Sequence, residues 1–475
     1  MRRFQPYKLA TIRLMLCYAF ICYPAKNSFG QSITPSQNPA FLKNITIKGN
    51  DICKRSILLR ELNITENSLL SKDSLNELLN LNRLRLENLA LFNEVVLVTD
   101  FITTDTFNLN IIVKERWYII PEASFQLADR NFNQWWVEQH HDFNRINLVL
   151  AAVNKNFRGN REELSIYTQF GYTQKYALNY IRPFINKAQT IGWGLYLGYA
   201  TNRQIYYSAD SNKQVFAGTY TGPILNHLFE GTISLTYRPA FATRHLFSMA
   251  FKYQDAADTI LQLNPNYFGN HQSVFRYIEL AYRLEMNHTD NWNYPTKGQK
   301  LVINDIFRWG ITGFNWQNYI NVEAGAFSRL GNNFLFAAIL RGRITIPNNQ
   351  PFILTEGLGF MANYVRGYEY YIINGSQYGL LRLDLKYELF NHTFKNIPIK
   401  YFTAFPLRIY PKLFVDAGYC NVNNGNLYNN FLGNTLLSSA GIGLDIVTAY
   451  DFKIRLEYAL NALLQKGLYL HTTSE

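Results

Sequence analysis

"LLRLDLKYEL", residues 380–389, alternates almost without a break: Leu381, Leu383, Leu385, Tyr387 and Leu389 fall on one side, and Arg382, Asp384, Lys386 and Glu388 on the other. Successive side chains of a strand point to opposite faces, so this segment is a strand with one apolar and one charged face. "KIRLEYAL" at 453–460 repeats the pattern, with Ile454, Leu456, Tyr458 and Leu460 opposite Arg455, Glu457 and Ala459. In "ELSIYTQFGY", Leu164, Ile166, Phe170 and Tyr172 share a face with Thr168. Any half-exposed antiparallel sheet shows such alternation, so quantity decides the architecture. From about Tyr118 to the end the chain keeps period two, with turn signals such as "NNGN" at 423–426 and no long amphipathic helix. At roughly 20 to 25 residues per strand and connection, that length holds about 14 to 18 strands; membrane barrels favour even numbers, so 16 is expected. The fold class is mainly β: a transmembrane antiparallel β-barrel. Closure follows from the solvent, because an open edge in hydrocarbon leaves backbone N–H and C=O groups unpaired.

The rest of the composition agrees. The 475 residues are 48% apolar and 16% aromatic, enough for a large core and for aromatic girdles. The formal charge of +12 admits nucleic acid or anionic lipid headgroups as partners. The basic residues are spread along the chain with no helix-spaced stripe and no zinc-finger spacing, so nucleic acid is not expected and outer-membrane lipids are. Arg2, Arg3, Lys8 and Arg13 precede the apolar run "LMLCYAFICY", and Ser28 and Gly30 offer small residues for cleavage before Gln31. Residues 1–30 therefore read as a signal peptide, and 31–40 as a short linker. That apolar run is shorter than the ~20 residues a spanning helix needs. Only Cys53 and Cys420 follow the signal, which excludes a disulfide framework and a Cys-x-x-Cys site.

Residues 41–117 differ. "NITIKGN" alternates as a strand and turns at Gly49-Asn50; "KRSILLREL" and "SKDSLNELLNLNRLRLENLALF" carry helical spacing; "NEVVLVTD" and "FNLNIIVKER" return to strand character. The order strand, helix, helix, strand, strand resembles a POTRA domain, the periplasmic module of outer-membrane assembly factors. Ile45, Ile47, Gly49 and Asn50 in the first strand, Leu91-Phe92 and Val95 at the second, and "VKER" at 113–116 carry the resemblance. Residues 118–475 are left for the barrel.

Four stretches of the barrel, in order, are similar to those of the BamA/TamA-like outer-membrane assembly family, with its bacterial surface antigen barrel. "NHTDNWNYPTKGQKL" at 287–301 supplies Asp290, Pro295, Thr296 and Gly298; "VRGY" supplies Val365, Arg366, Gly367 and Tyr368; "FVDAG" supplies Asp416 and Gly418; "GIGLDI" with "IRLEYAL" resembles the penultimate hairpin. The resemblance implies that Arg366 sits at the tip of a long loop tucked into the lumen, with Asp416 as its wall partner and Asp384 as a second. The alternation places Asp384 on the polar face of its strand and Asp416 opposite Val415 and Ala417, so both carboxylates are expected to point inward. Arginine suits this place because its planar fork engages carboxylates through paired hydrogen bonds. Gly367 lets the backbone turn or approach the wall closely, and Tyr368 is expected to pack against that wall.

No catalytic motif emerges: there is no Gly-x-Ser-x-Gly and no P-loop, and no cofactor is called for. Glu138, His140, His141 and Asp142 in "VEQHHD" invite a metal reading, but adjacent histidines on a strand point to opposite faces and no second cluster completes a site, so no metal is expected. The resemblance implies an assembly factor in the outer membrane, with the POTRA-like domain in the periplasm. Its partners would be unfolded outer-membrane proteins, and periplasmic or lipoprotein partners as well. The barrel seam would open sideways to let an incoming strand add to an exposed edge. One POTRA-like unit, where the central assembly factor carries several, points to an accessory or specialised member. The alternatives are a polypeptide-secretion channel of the same superfamily and a surface antigen barrel with no assembly role.

Overall fold

The computed structural model describes residues 38–186, 188–395, 404–423, 430–448 and 452–472, so the expected signal peptide lies outside them. The chain divides after Arg116 into two compact units.

The amino-terminal unit runs β1 (Pro39–Lys48), α1 (Arg55–Glu61), β2 (Ser68–Ser71), α2 (Leu75–Glu87), β3 (Phe92–Thr103) and β4 (Thr106–Glu115). The sheet order is β2-β1-β4-β3, with β1 parallel to β4. The short edge strand β2 is the element that helical spacing concealed: "SLLS" holds too few residues to show a period and pairs with Phe41 and its neighbours. Ile45, Ile57, Leu58, Leu86, Leu91, Phe92, Leu109 and Ile111 are buried between the sheet and the helices. Gly49 has φ 82°, and a side chain there would collide with the Val113 carbonyl. Asn50 Nδ2 donates to the Cys53 carbonyl, fixing the turn into α1.

The second unit is one antiparallel sheet rolled into a barrel. Its strands are β5 (Ile119–Leu127), β6 (Ile146–Phe157), β7 (Glu162–Gly171), β8 (Thr173–Arg182), β9 (Ile191–Asn202), β12 (Asn226–Ala240), β13 (Thr243–Asp255), β14 (Val274–Thr289), β15 (Gly298–Thr312), β16 (Trp316–Leu330), β17 (Phe334–Ile346), β18 (Gln377–Tyr387), β19 (Phe390–Lys395), β20 (Ala404–Asn421), β21 (Leu436–Val447), β22 (Lys453–Asn461) and β23 (Lys466–Thr472); β10 (Gln204–Asp210) and β11 (Lys213–Gly218) form a separate hairpin. Seventeen segments stand in one cyclic order, but β18 and β19 both pair with β20 and are two stretches of one wall strand. Among the described residues the wall therefore has sixteen strands, the number expected from the sequence. Two short helices, α3 (Phe132–Val137) and α4 (Asp258–Leu263), lie in connections.

The alternation read from the sequence sorts the two faces. Ile233, Met249, Leu340, Ile344, Leu413, Val415, Ile442 and Leu468 are exposed on the outside, whereas Arg382, Lys412, Asp416, Asp445 and Glu457 are buried. Tyr172 departs from its expected apolar row. β7 ends at Gly171, where φ is 119°, and Tyr172 then turns its hydroxyl to Gln204 and its ring under the Arg145 guanidinium.

The cyclic order closes through hydrogen bonding between β23 and β5, but the junction is short: among the described residues no residue-by-residue ladder runs along these two strands. With β18 and β19 taken as one strand, the other neighbouring pairs carry ladders, from β5–β6 around to β22–β23.

Candidate lumenal anchor site

The connection 347–376 between β17 and β18 carries the arginine motif. Tyr364, Val365, Arg366, Tyr368, Glu369, Ile372 and Ile373 are all buried, so this loop is packed inside the molecule. Arg366 is the anchor. Its Nε and Nη2 donate to the two oxygens of Asp416 at 2.9 and 2.5 Å, and its backbone N–H donates to the same carboxylate at 3.0 Å. Nη1 donates to Asp384 at 2.7 Å and to Glu457 at 3.3 Å, while the guanidinium lies 4.0 Å from the centre of the Phe414 ring. Arg366, Asp384 and Asp416 thus meet. Three strands supply the carboxylates: Asp384 from β18, Asp416 from β20 and Glu457 from β22. A planar fork with donors on three edges holds all three, which a lysine point charge cannot.

The neighbouring motif residues close the contact. Gly367 has φ 88°, and a side chain there would stand 3.2 Å from Ala459 Cβ, so both the turn and the approach need glycine. The Gly367 carbonyl accepts from Asn461 Nδ2 at 2.7 Å. Tyr368 accepts the Ala462 N–H at its hydroxyl and is buried against the wall. Val365 packs in one cluster with Leu358, Tyr378 and Cys420, over Gly418 of β20.

A wider network surrounds this point. The β18–β20 register sets Lys386 directly opposite Lys412, an unfavourable like-charge pair on its own. Asp445 bridges them, at 3.2 Å from Lys386 and 2.6 Å from Lys412. Lys412 also reaches Glu457 at 2.6 Å across Gly443, where a side chain would fall 2.8 Å from Lys412 Cε. Arg382 packs on Tyr364 and stands 3.7 Å from Asp416. Four cations (Arg366, Arg382, Lys386, Lys412) thus face four carboxylates (Asp384, Asp416, Asp445, Glu457), so the buried charge is balanced.

The Asp290 motif joins the network from another side. Asp290 accepts from Thr296 and the Lys297 N–H in the turn before Gly298, which opens β15. That turn, with Pro295 next to it, presents Tyr294, whose hydroxyl donates to Asp445 at 2.9 Å and whose ring stacks on Tyr410. Sequence reasoning named Asp290, Pro295 and Gly298 but missed Tyr294, Glu457, Lys412 and Asp445. The signal for Glu457 was present, since it lies on the polar face of "KIRLEYAL".

Beside the arginine, Glu369 of the loop, Glu457 of β22 and His471 of β23 come within ligand distance of one another. His471 Nε2 lies 3.3 Å from Glu369 and 3.4 Å from Glu457, and its Nδ1 is 3.1 Å from the Tyr364 hydroxyl. Glu457 already meets Lys412 and Arg366, so a further cation there would face two fixed positive charges. The arrangement suits a proton shared between an imidazole and two carboxylates. Burial pushes the Glu369 carboxyl above its usual range, against the opposing pull of His471.

The "VEQHHD" segment is not the strand assumed for it. "FNQWWV" forms α3, and His140 and His141 follow in a turn at positive φ, with His141 against Trp135 and Trp136. Glu138 pairs with Lys213 and Asp142 accepts from Tyr220, so these side chains do not converge.

The POTRA family model, described as surface antigen variable number repeat, matches residues 40–116. These residues are a POTRA domain. No curated protein matches the sequence. Among solved structures, BamA from Haemophilus ducreyi lacking POTRA domains 1–3 is similar, with TM-score 0.55 and 15% identity over 91% of this chain and 84% of that one. CdiB from Escherichia coli is similar too, with TM-score 0.55 and 11% identity over 91% of this chain and 75% of that one. At such identities the likeness is one of fold. The chain shares the fold of these structures: a POTRA domain, with Gly49, Asn50 and Phe92 at its turns and core, followed by a barrel.

Proposed function

We propose that this chain is an outer-membrane barrel, with its POTRA domain in the periplasm, that assists the folding and insertion of other β-barrel proteins. The observation that carries this reading is the seam. β5 and β23 are neighbours in the strand order, yet no register joins them among the described residues, whereas the flanking strands are laddered. A strand edge with free N–H and C=O groups is a template for another strand, and a barrel that is closed everywhere else confines that template to one place. Arg366 supports the reading by fixing the loop to β18, β20 and β22, the wall that leads up to β23. Next to the sparsely paired seam there is then a wall held by buried ion pairs. Unfolded outer-membrane proteins are the clients, and lipids and lipoprotein partners surround the barrel.

Depletion followed by quantitative proteomics of the outer membrane tests this function. Loss of many barrel proteins is expected. Loss of a single secreted protein would replace the reading with a polypeptide-secretion channel, and an unchanged membrane would leave a surface antigen barrel.

A further inference from the structure

The connection 128–145 between β5 and β6 is a structured strap with two grips. One is on the lumenal loop. Arg130 donates to the carbonyls of Gly359, Glu369, Tyr370 and Tyr371, and Asn131 Nδ2 donates to the Glu369 carbonyl at 3.0 Å. The Asn131 side-chain oxygen meanwhile caps α3 by accepting the Gln134 N–H at 2.8 Å, and the buried Arg145–Asp129 pair ties the two ends of the strap together.

The other grip is on the last strand. Asn133, buried in α3, accepts the Leu470 N–H at Oδ1 (2.9 Å) and donates from Nδ2 to the Leu470 carbonyl (3.1 Å). A residue's N–H and C=O leave a strand on the same side, and those of the next residue leave on the other. Both polar groups of Leu470 are taken by Asn133, so they face away from β22 and lie on the edge that β5 adjoins. A side-chain amide carries the same donor and acceptor as a peptide group. Here it makes the two-bond ring that a residue of a neighbouring strand would make.

We propose that the Asn133 amide is a built-in stand-in for a β-strand: it occupies the seam edge of β23 at Leu470, and an extended polypeptide that adds to this edge must displace it. The proposal rests on the assembly reading for its biological use, but not for its structural content. The partner it fits is a polypeptide in extended conformation, recognised by backbone groups whatever its side chains. Because Arg130 and Asn131 hold the loop that carries Arg366, release of Asn133 is mechanically tied to the loop. The edge is kept satisfied until a better strand arrives.

Full-length chain in lipid nanodiscs tests this with a synthetic peptide copying β5, Ile119–Leu127, fitted with a photoreactive residue. Asn133→Ala removes both bonds; Asn133→Asp keeps the acceptor and removes the donor, and heat-modifiable gel mobility shows which variants remain folded. In Asn133→Ala the bond lost at the Leu470 N–H is expected to speed exchange of that amide by about fivefold or more, with β14 amides unchanged, and to raise peptide capture on β23 by a similar factor, whereas Asn133→Asp still accepts that N–H and should raise capture without speeding exchange. Unchanged Leu470 exchange in folded Asn133→Ala would overturn the proposal, and so would unchanged capture in Asn133→Asp, where only the bond to the Leu470 carbonyl is lost. So would faster exchange without increased capture, since the amide would then not compete with a strand. If both rise but depletion leaves the outer-membrane barrels intact, the stand-in holds and the assembly function is what fails.

Discussion

Arg366 is the residue on which the loop depends. It is almost fully buried and holds Asp384, Asp416 and Glu457 together. Removing one partner of a buried ionic group strands the others, so Arg366→Ala should cost on the order of 3 to 5 kcal/mol, read by denaturant unfolding or loss of heat-modifiable mobility. Arg366→Lys should recover little of it, because an ammonium cannot bond three carboxylates from one fork geometry. Glu369 gives a pH test. Burial raises its carboxyl above the usual range, so the folded state binds that proton more tightly than the unfolded chain. Its contribution is therefore full at pH below the ordinary carboxyl value and falls as pH rises through the raised one. Compared with Glu369→Gln, which does not titrate, the wild type should lose thermal stability as pH rises through that raised value. The arginine, its glycine and two of its carboxylates were legible in the sequence through the family resemblance, while the period-two alternation by itself carried only the inward direction of the carboxylates. Glu457 was legible only as inward-facing. Its meeting with Arg366 depends on how far β22 lies around the wall, and no local pattern carries that.

Among the elements, β20 to β22 form the stiff side of the barrel. Gly443 is the narrow point, where Lys412 crosses from β20 to Glu457 on β22. Gly443→Ala would place a methyl against Lys412 Cε and Glu457 Cγ, at 2.8 and 3.1 Å. Overpacking of this kind should cost roughly 1 to 3 kcal/mol, and a parallel drop in the melting temperature of the variant would show it. The strands themselves were readable from alternation, and the sixteen-strand wall follows from length and parity. The strap was not. "DRNFNQWWVEQHHDF" is aromatic and lies between two strands, so it reads as more strand. What makes it a short helix is the Asn131 cap and the packing of Phe132, Trp135 and Trp136, which appear only once the loop is in place. β2 was missed for the plainer reason that four residues are too few to show a period.

In the molecule as a whole, the POTRA domain and the barrel each have their own core, and the fragment 38–116 should fold alone with a single cooperative transition by circular dichroism. The barrel places a fixed wall on one side of a seam with no register, and function is assigned to that contrast. The most direct measurement uses cysteine pairs scanned between β5 and β23 in the full chain, reconstituted in liposomes with an unfolded outer-membrane barrel as client. Oxidation of a pair that crosslinks the seam should arrest client insertion, and reduction should restore it. Insertion that continues at the same rate through a covalently closed seam would contradict the assignment.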